Sequence, residues 1–243
     1  MRKLTLHKIL VLSCAAMMFL QSCKDDGELT ALPSIPNSSF KEEFDTTSAA
    51  LARGWKFINT SDSIGGGIWQ QGGEVVPWFR AYSNFGTNAG FIGVDYTSTR
   101  AQSVTISNWL ISPSVMMQNG DKIIFFTRAL QIDNGAGDFT DYGNNLQVLI
   151  NPVNDNLNVG AGLDKGNYMN LYEINPSLVY SSAVNPVALA YPTQWTRFEV
   201  PVSGLTAPTR GRFALRYFVT NGGSMGNASG VAIDQVTYTS ISK

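Results

Sequence analysis

The chain has 243 residues, with 17 Lys and Arg against 18 Asp and Glu, one His and two Cys, for a formal net charge of −1. Charged residues make up 14% and hydrophobic ones 44%, with 23 Gly, a balance that permits one large all-β domain and suits strands joined by turns better than a helical bundle. No basic excess is present to neutralise phosphates, which argues against a nucleic-acid partner.

Arg2, Lys3 and Lys8 form a basic n-region, and Ile9 to Leu20 is an apolar run broken only by Ser13. That run is short for a transmembrane helix and suits the h-region of a signal peptide. The next residues, Leu20-Gln21-Ser22-Cys23, resemble a bacterial lipobox, although Gln21 fits the pattern loosely. The resemblance implies cleavage before Cys23 and acylation of that residue. An ordinary secretory signal with an incidental cysteine is the alternative. Cys14 lies inside the h-region, so Cys23 would be the one cysteine of the mature chain, which fits a lipid attachment point better than a disulfide partner. Cys23-Lys24-Asp25-Asp26 in turn resembles the surface-export signal of Bacteroidota lipoproteins, the alternative being a soluble acidic tether. These resemblances imply a lipid-anchored protein of the outer membrane that faces the cell exterior. Residues 1–22 are thus expected to be a lipoprotein signal peptide. Residues 23–39, with Pro33 and Pro36, read as a lipidated N-terminus and flexible tether, and 40–243 as a single domain.

Loss of the signal peptide would remove His7, the lone histidine, together with three basic residues, leaving 14 of the 17 against 18 acids. A mature chain without histidine, and with Cys23 as its one cysteine, lacks Ser-His-Asp and Cys-His catalysis and His- or Cys-based zinc, haem and iron–sulfur sites. Oxygen ligands remain, which suit Ca²⁺ or Mg²⁺. Gly65-Gly66-Gly67 lacks the strand-to-helix context and the following Lys-Ser/Thr of a phosphate-binding loop.

From Phe40 onward the pattern predicts short strands. In chain order they are Trp78–Tyr82, Gly90–Val94, Ser103–Ile111, Lys122–Leu130, Leu146–Asn151, Thr196–Val202, Arg212–Thr220 and Val231–Thr239. Alternation along 196–200 and 213–219 gives each segment one apolar face, whereas Ile123-Ile124-Phe125-Phe126 is apolar on both, as in a strand covered on two sides. Asn119-Gly120-Asp121, Asn134-Gly135 and Asn221-Gly222-Gly223 mark turns. A helical turn is expected within Lys165–Leu178. The fold class is all-β, a two-sheet antiparallel sandwich.

Several landmarks carry a second resemblance. Asn108-Trp109-Leu110-Ile111-Ser112-Pro113 precedes an apolar pair, a glycine turn and the strand Lys122–Leu130. Phe40-Lys41-Glu42-Glu43-Phe44 with Gly54-Trp55, Trp69, Leu146-Gln147-Val148, Gln194-Trp195-Thr196 and Ile233-Asp234-Gln235-Val236 fall in order around them. This pattern, from Phe40 to Tyr238, resembles the choice-of-anchor J or cleaved-adhesin domains of Bacteroidota, jelly-roll modules similar to MAM domains and of galactose-binding-like type. Gln235 departs from it where a second acid is usual, and Pro152–Pro192 runs longer than it requires. The resemblance implies a structural Ca²⁺ tying first strand to last, here through Glu42 or Glu43 and Asp234. The alternative for a half-buried Asp234 is hydrogen bonding to backbone amides, or to Arg212 or Arg216. The acidic stretch Asp133 to Asp141 lacks EF-hand spacing and reads as a solvated hairpin loop.

Five Trp, nine Tyr and thirteen Phe invite a carbohydrate-binding reading, in which exposed rings stack on sugar C–H faces beside polar side chains. The ligand-binding candidates are Trp69, Trp78, Tyr82 and Tyr142, with Phe85 and with Asn84, Asn88 and Asn144 as neighbours; Trp55, Trp109 and Trp195 are assigned to the core. Acids are sparse, and no pair is arranged for glycoside hydrolysis. The expected role is therefore non-catalytic binding of extracellular glycans. Adhesion to host or envelope protein is the alternative, and a carboxylate-based hydrolase a remote one.

Overall fold

A computed structural model describes residues 34–83 and 89–241. Ile35–Lys243 forms one compact unit. Residues 1–22, expected to be a signal peptide, and Cys23, Lys24, Asp25 and Asp26 lie outside the described residues, as do Asn84, Phe85 and Asn88. Among the described residues no helix is long and apolar enough to cross a membrane.

Among the described residues fifteen strands and one short α-helix follow in order: β1 (Phe40–Glu42), α1 (Thr47–Ala52), β2 (Lys56–Asn59), β3 (Gln70–Gln71), β4 (Ile92–Asp95), β5 (Val104–Ile111), β6 (Val115–Met117), β7 (Lys122–Ala129), β8 (Ile132–Asp133), β9 (Phe139–Thr140), β10 (Leu146–Ile150), β11 (Met169–Ile174), β12 (Thr196–Pro201), β13 (Thr209–Gly211), β14 (Phe213–Gly222) and β15 (Gly230–Thr239). Helix α1 starts where the Thr46 hydroxyl accepts from the Ala49 amide at 3.2 Å, an N-cap.

One sheet runs β12-β7-β15-β4-β3, with β1 also on β15; the other runs β11-β10-β14-β5-β2, and every named pairing is antiparallel. Strand β15 meets β7 on one side. On the other it pairs first with β4 (Ile233 opposite Ile92) and then with β1 (Val236 opposite Glu42). The change of neighbour falls at a bulge, where the register shifts between Asp234 and Thr237 and Gln235 takes a φ of +49°. Two such sheets, with first and last strands adjacent, make an antiparallel jelly roll.

Alternation places Ile123, Phe125 and Ala129 of β7, Leu146, Val148 and Ile150 of β10, and Leu215, Tyr217 and Val219 of β14 between the sheets. An aromatic knot closes one end: Phe44 lies 5.1 Å from Trp55, and Phe213 lies 5.8 Å from Tyr238. Each such ring contributes roughly 1.5–3 kcal/mol by burial.

Both sheets are covered on their outer faces as well. Residues 72–83, expected to include a strand over Trp78–Tyr82, instead form a strap across the first sheet. Phe79 lies under the Arg128 guanidinium at 3.9 Å, and Tyr82 stacks on Phe126 at 3.7 Å. The aromatic run is apolar because it packs down on a sheet face, which is also why β7 is apolar on both sides. On the second sheet the β10–β11 connection drops Val159 and Tyr168 onto Trp109, Ile111 and Leu149. Within Lys165–Leu178 the expected helical turn is replaced by β11, whose residues alternate between half-buried and exposed as an edge strand's do.

Candidate functional site

The expected site residues separate into three environments. Trp69 is 1% exposed and belongs to the core, so it presents no ring to a ligand. Trp78 lies in the strap, its ring held against the backbone of β4 and β15. A Cβ on Gly93 would stand 2.7 Å from the Trp78 ring, so only glycine admits it there. Tyr82 leaves one edge exposed but has a ring face on Phe126. Trp195, expected in the core, instead caps the strap: its indole N–H donates to the Arg80 carbonyl at 2.9 Å, and its ring meets Phe79 and Phe91 edge-on.

The carboxylates expected to hold a cation each have protein partners. Glu42 is buried and accepts from Arg53 Nε at 2.8 Å and from the Phe44 amide at 3.0 Å. Glu43 pairs with Lys41; burial raises its carboxyl, but bonds from Lys41, Ser83 and Gln235 outweigh that and hold it below the usual range. Asp234 accepts from the amides of Tyr82 (2.8 Å), Ser83 (3.1 Å) and Gln235 (2.6 Å) and from the Ser83 hydroxyl (3.1 Å). Burial pushes its carboxyl up to about 6 against the pull of those donors. Neither arginine considered for it is involved: Arg212 donates to the Asp155 and Ser112 carbonyls, and Arg216 serves the opposite sheet. Four donors aimed at Asp234 are the surroundings of an anion without a cation, and a calcium ion does not fit this donor set. Among the described residues no group of three or more His, Cys, Asp or Glu is placed to hold a metal.

Tyr142 alone of the four opens onto a cleft. Its backbone sits at φ +49° and is followed by Gly143 at +72°, a left-handed pair that turns the chain out of β9 toward β10. The turn is clamped from beneath. The buried Asn144 amide donates to the Asp141 carbonyl and Ser229 Oγ, both at 2.8 Å, and its oxygen accepts from Tyr217 Oη at 2.8 Å and the Gly230 amide at 2.9 Å. Asn144, expected beside a ligand, is therefore a positioning residue. Asp141 accepts from the Ser181 (2.9 Å) and Gly143 (3.1 Å) amides, and burial pushes its carboxyl up.

Three loops complete the cleft. The β8–β9 connection is a hairpin in which the Asn134 amide donates to the Asp138 carbonyl at 3.0 Å, and the Asp133 carboxylate accepts from the Gly135 and Gly137 amides. Residues 180–186, inside the unusually long 152–192 stretch, join it through the Ala183 amide on the Phe139 carbonyl (2.8 Å) and the Val184 amide on Asp138 Oδ1 (3.1 Å). The β14–β15 turn comes back over the cleft, where the Ala228 amide donates to the Tyr142 carbonyl at 2.8 Å.

Between these loops lies a cavity of about 700 Å³ with Tyr142 and Tyr180 in its walls. A second cavity of about 350 Å³, reaching Tyr96 and Ile132, shares Tyr142, Met225 and Gly226 with it. The volumes lie in the range of small-molecule sites, about 300–1,000 Å³. Tyr180 is 63% exposed and Met225 75%. Asn185, Asn221 and Ser103 line the larger cavity, and their side chains make no hydrogen bond to any described residue. Asp138 is the one carboxylate among the described residues of the cavity wall. Tyr180, Asn185, Asn221 and Met225 carry no individual signal in the sequence, because two segments remote from each other in the chain, residues 180–186 and the β14–β15 turn, bring them together.

Against known proteins, no protein-family model matches the chain, and no curated protein matches it. Solved structures do. A cleaved-adhesin domain of Lys-gingipain from Porphyromonas gingivalis aligns with a TM-score of 0.51 at 17% identity, covering 84% of this chain and 99% of that one. Another cleaved-adhesin domain of the same protein gives 0.47 at 15%, covering 85% and 100%. A carbohydrate-binding module of the β-sandwich superfamily gives 0.44 at 8%, covering 84% and 75%. The chain has the jelly-roll fold of a cleaved-adhesin domain.

Proposed function

We propose that this protein is a non-catalytic surface module that binds extracellular glycans in the cleft around Tyr142 and Tyr180, tethered to the outer membrane through a lipid on Cys23. The observation that carries the reading is the cleft's chemistry: tyrosine rings stand beside side-chain amides and hydroxyls that make no hydrogen bond to a described residue. Sugars need that combination, rings for their C–H faces and unused donors and acceptors for their hydroxyls. One wall carboxylate gives no pair for acid–base hydrolysis. A glycan array probed with the Ile35–Lys243 unit tests the reading, since the core and both sheets lie within it; specific retention of a glycan set supports it, and a blank array counts against it. Palmitate labelling of the full chain, lost in Cys23→Ser, tests the tether.

Adhesion to a protein is favoured by a different place. A cleft of about 800 Å³ between the β11 and β12 edges exposes Leu189 (80%) and Tyr172 (45%) beside Phe198 and Val187, with Glu173 and Asn175 also in its wall, and exposed large apolar side chains grouped with polar ones suit a protein contact.

A further inference from the structure

The two adjoining cavities and the charge of their walls carry the glycan reading further. No lysine or arginine lines either cavity among the described residues, and Asp138 is the one charged group. Its Oδ1 holds the Val184 amide at 3.1 Å, while Oδ2 makes no hydrogen bond to a described residue and remains able to accept from a sugar hydroxyl. A carboxylate or sulfate on the ligand would meet this charge with no cation at hand to offset it. The larger cavity and the smaller one share Tyr142, Met225 and Gly226 in their walls and so adjoin there, which places the Tyr142 ring between two neighbouring seats. Tyr142 is a fixed divider, because its left-handed backbone is clamped by Gly143, Asn144 and the Ala228 amide.

We propose that the cleft selects uncharged oligosaccharides of at least two residues, one seated in each cavity on either side of Tyr142, and rejects acidic chains of the same length through Asp138. The proposal rests on the glycan reading of this cleft and adds ligand class and subsite count to it.

Calorimetric titration of the Ile35–Lys243 unit with three sets of probes tests it. The first set is neutral galacto-, manno- and xylo-oligosaccharides of one to four residues. The second is oligogalacturonides of matched length, and the third repeats both at 0.5 M NaCl, on the order of a 4 Å screening length. The expected result is at least a tenfold gain in affinity from one to two residues in a neutral series, little gain beyond, and at least tenfold weaker binding of the matched acidic chains that recovers in part at high salt. Ser224→Trp, which fills the smaller cavity from an exposed turn, reduces disaccharide affinity toward that of the monosaccharide. Asp138→Asn keeps the acceptor for the Val184 amide and narrows the gap between neutral and acidic ligands. Tyr142→Asn, chosen because Asn tolerates the left-handed backbone, weakens every oligosaccharide. Equal affinity for neutral and acidic chains, or no gain from one to two residues, overturns the proposal while leaving glycan binding intact. Binding of no saccharide in any set overturns both.

Discussion

The outer face of the five-stranded sheet and the cleft between the loops hold similar side chains, aromatics beside amides, hydroxyls and a charge, and use them in opposite ways. On the sheet, Arg216 is fully buried between the Trp109 and Phe218 rings at 4.5 and 4.4 Å. It donates to Ser107 Oγ at 2.8 Å, Gln147 Oε1 at 3.2 Å and the Gly162 and Asp164 carbonyls. The Trp109 indole N–H in turn donates to Ser107 Oγ and Thr60 Oγ1, both at 3.0 Å. The Tyr168 hydroxyl stands outside this network: it is buried without a hydrogen-bond partner among the described residues and is pushed up to about 12 by desolvation. In the cleft the balance is reversed: Tyr180 and Met225 face solvent, and the Asn185 and Asn221 side-chain amides make no hydrogen bond to a described residue. Similar composition is fold on one surface and binding surface on the other, and the distinction lies in whether the polar atoms are already satisfied.

The largest expected effect breaks the satisfied side. Arg216→Ala leaves two carbonyls, Ser107 and Gln147 without their donor and empties the slot between two rings. We expect a loss of about 3–5 kcal/mol, the usual result of deleting one member of a buried charged network, and a fall in Tm on the order of 10 °C for a domain of this size. Glycan affinity measured well below that Tm should be unchanged. Tyr180→Ala inverts the pattern. A 63% exposed ring contributes little to folding, so Tm should move by about 1 °C or less, while loss of a stacking face weakens glycan binding about tenfold, roughly 1.4 kcal/mol. Should Tyr180→Ala lower Tm as Arg216→Ala does, the contrast between the two surfaces is gone.

Periodicity makes the satisfied side readable in the sequence. The segments 103–111, 122–130, 146–151, 196–202, 212–220 and 231–239 all contain strands within a residue or two of the expected ends, because alternation against a buried face is a local signal. The failures come from segments whose partners are remote. Trp78 to Tyr82 reads as a strand since nothing local distinguishes an aromatic strap from a strand. Trp69 and Trp78 read as rings open to a ligand, yet Trp69 is in the core and glycines at 73, 93 and 230 are what let the Trp78 ring lie against the sheet. In the cleft only Tyr142 was legible, as an aromatic in an Asp- and Gly-rich loop. Asn221-Gly222-Gly223 was readable as a turn, but not as a wall opposite Tyr180, since that depends on where β14 ends relative to residues 180–186.

A second buried charge offers the finest test of the comparison. Asp234, like Arg216, has its hydrogen-bonding capacity used by the fold, with four donors around it. The two differ in what burial does at neutral pH. Arg216 is lowered to about 10 by desolvation and keeps its charge at pH 7, whereas Asp234 is raised to about 6 and titrates close to neutrality. A carboxyl raised above its unfolded value of 3.8 binds more protons in the native state than in the unfolded one between about pH 4 and 6. Its contribution to stability is therefore complete below about pH 4 and is lost as pH rises through about 6. Burial also raises Asp95 and Asp141, so the wild-type Tm should decline from pH 4 to 7 through the sum of three groups. Asp234→Asn removes one of them, and its Tm profile over that interval should be flatter than the wild type's, with the difference between the two curves shifting in favour of the amide as pH rises through about 6. The amides of Tyr82 and Ser83 that Asp234 holds belong to the strap, remote in sequence from every loop of the cleft, so glycan affinity should keep the same pH profile in both proteins. A profile that changes with Asp234 would mean that the strap and the cleft are coupled, and that satisfied and unsatisfied surfaces do not act independently in this sandwich.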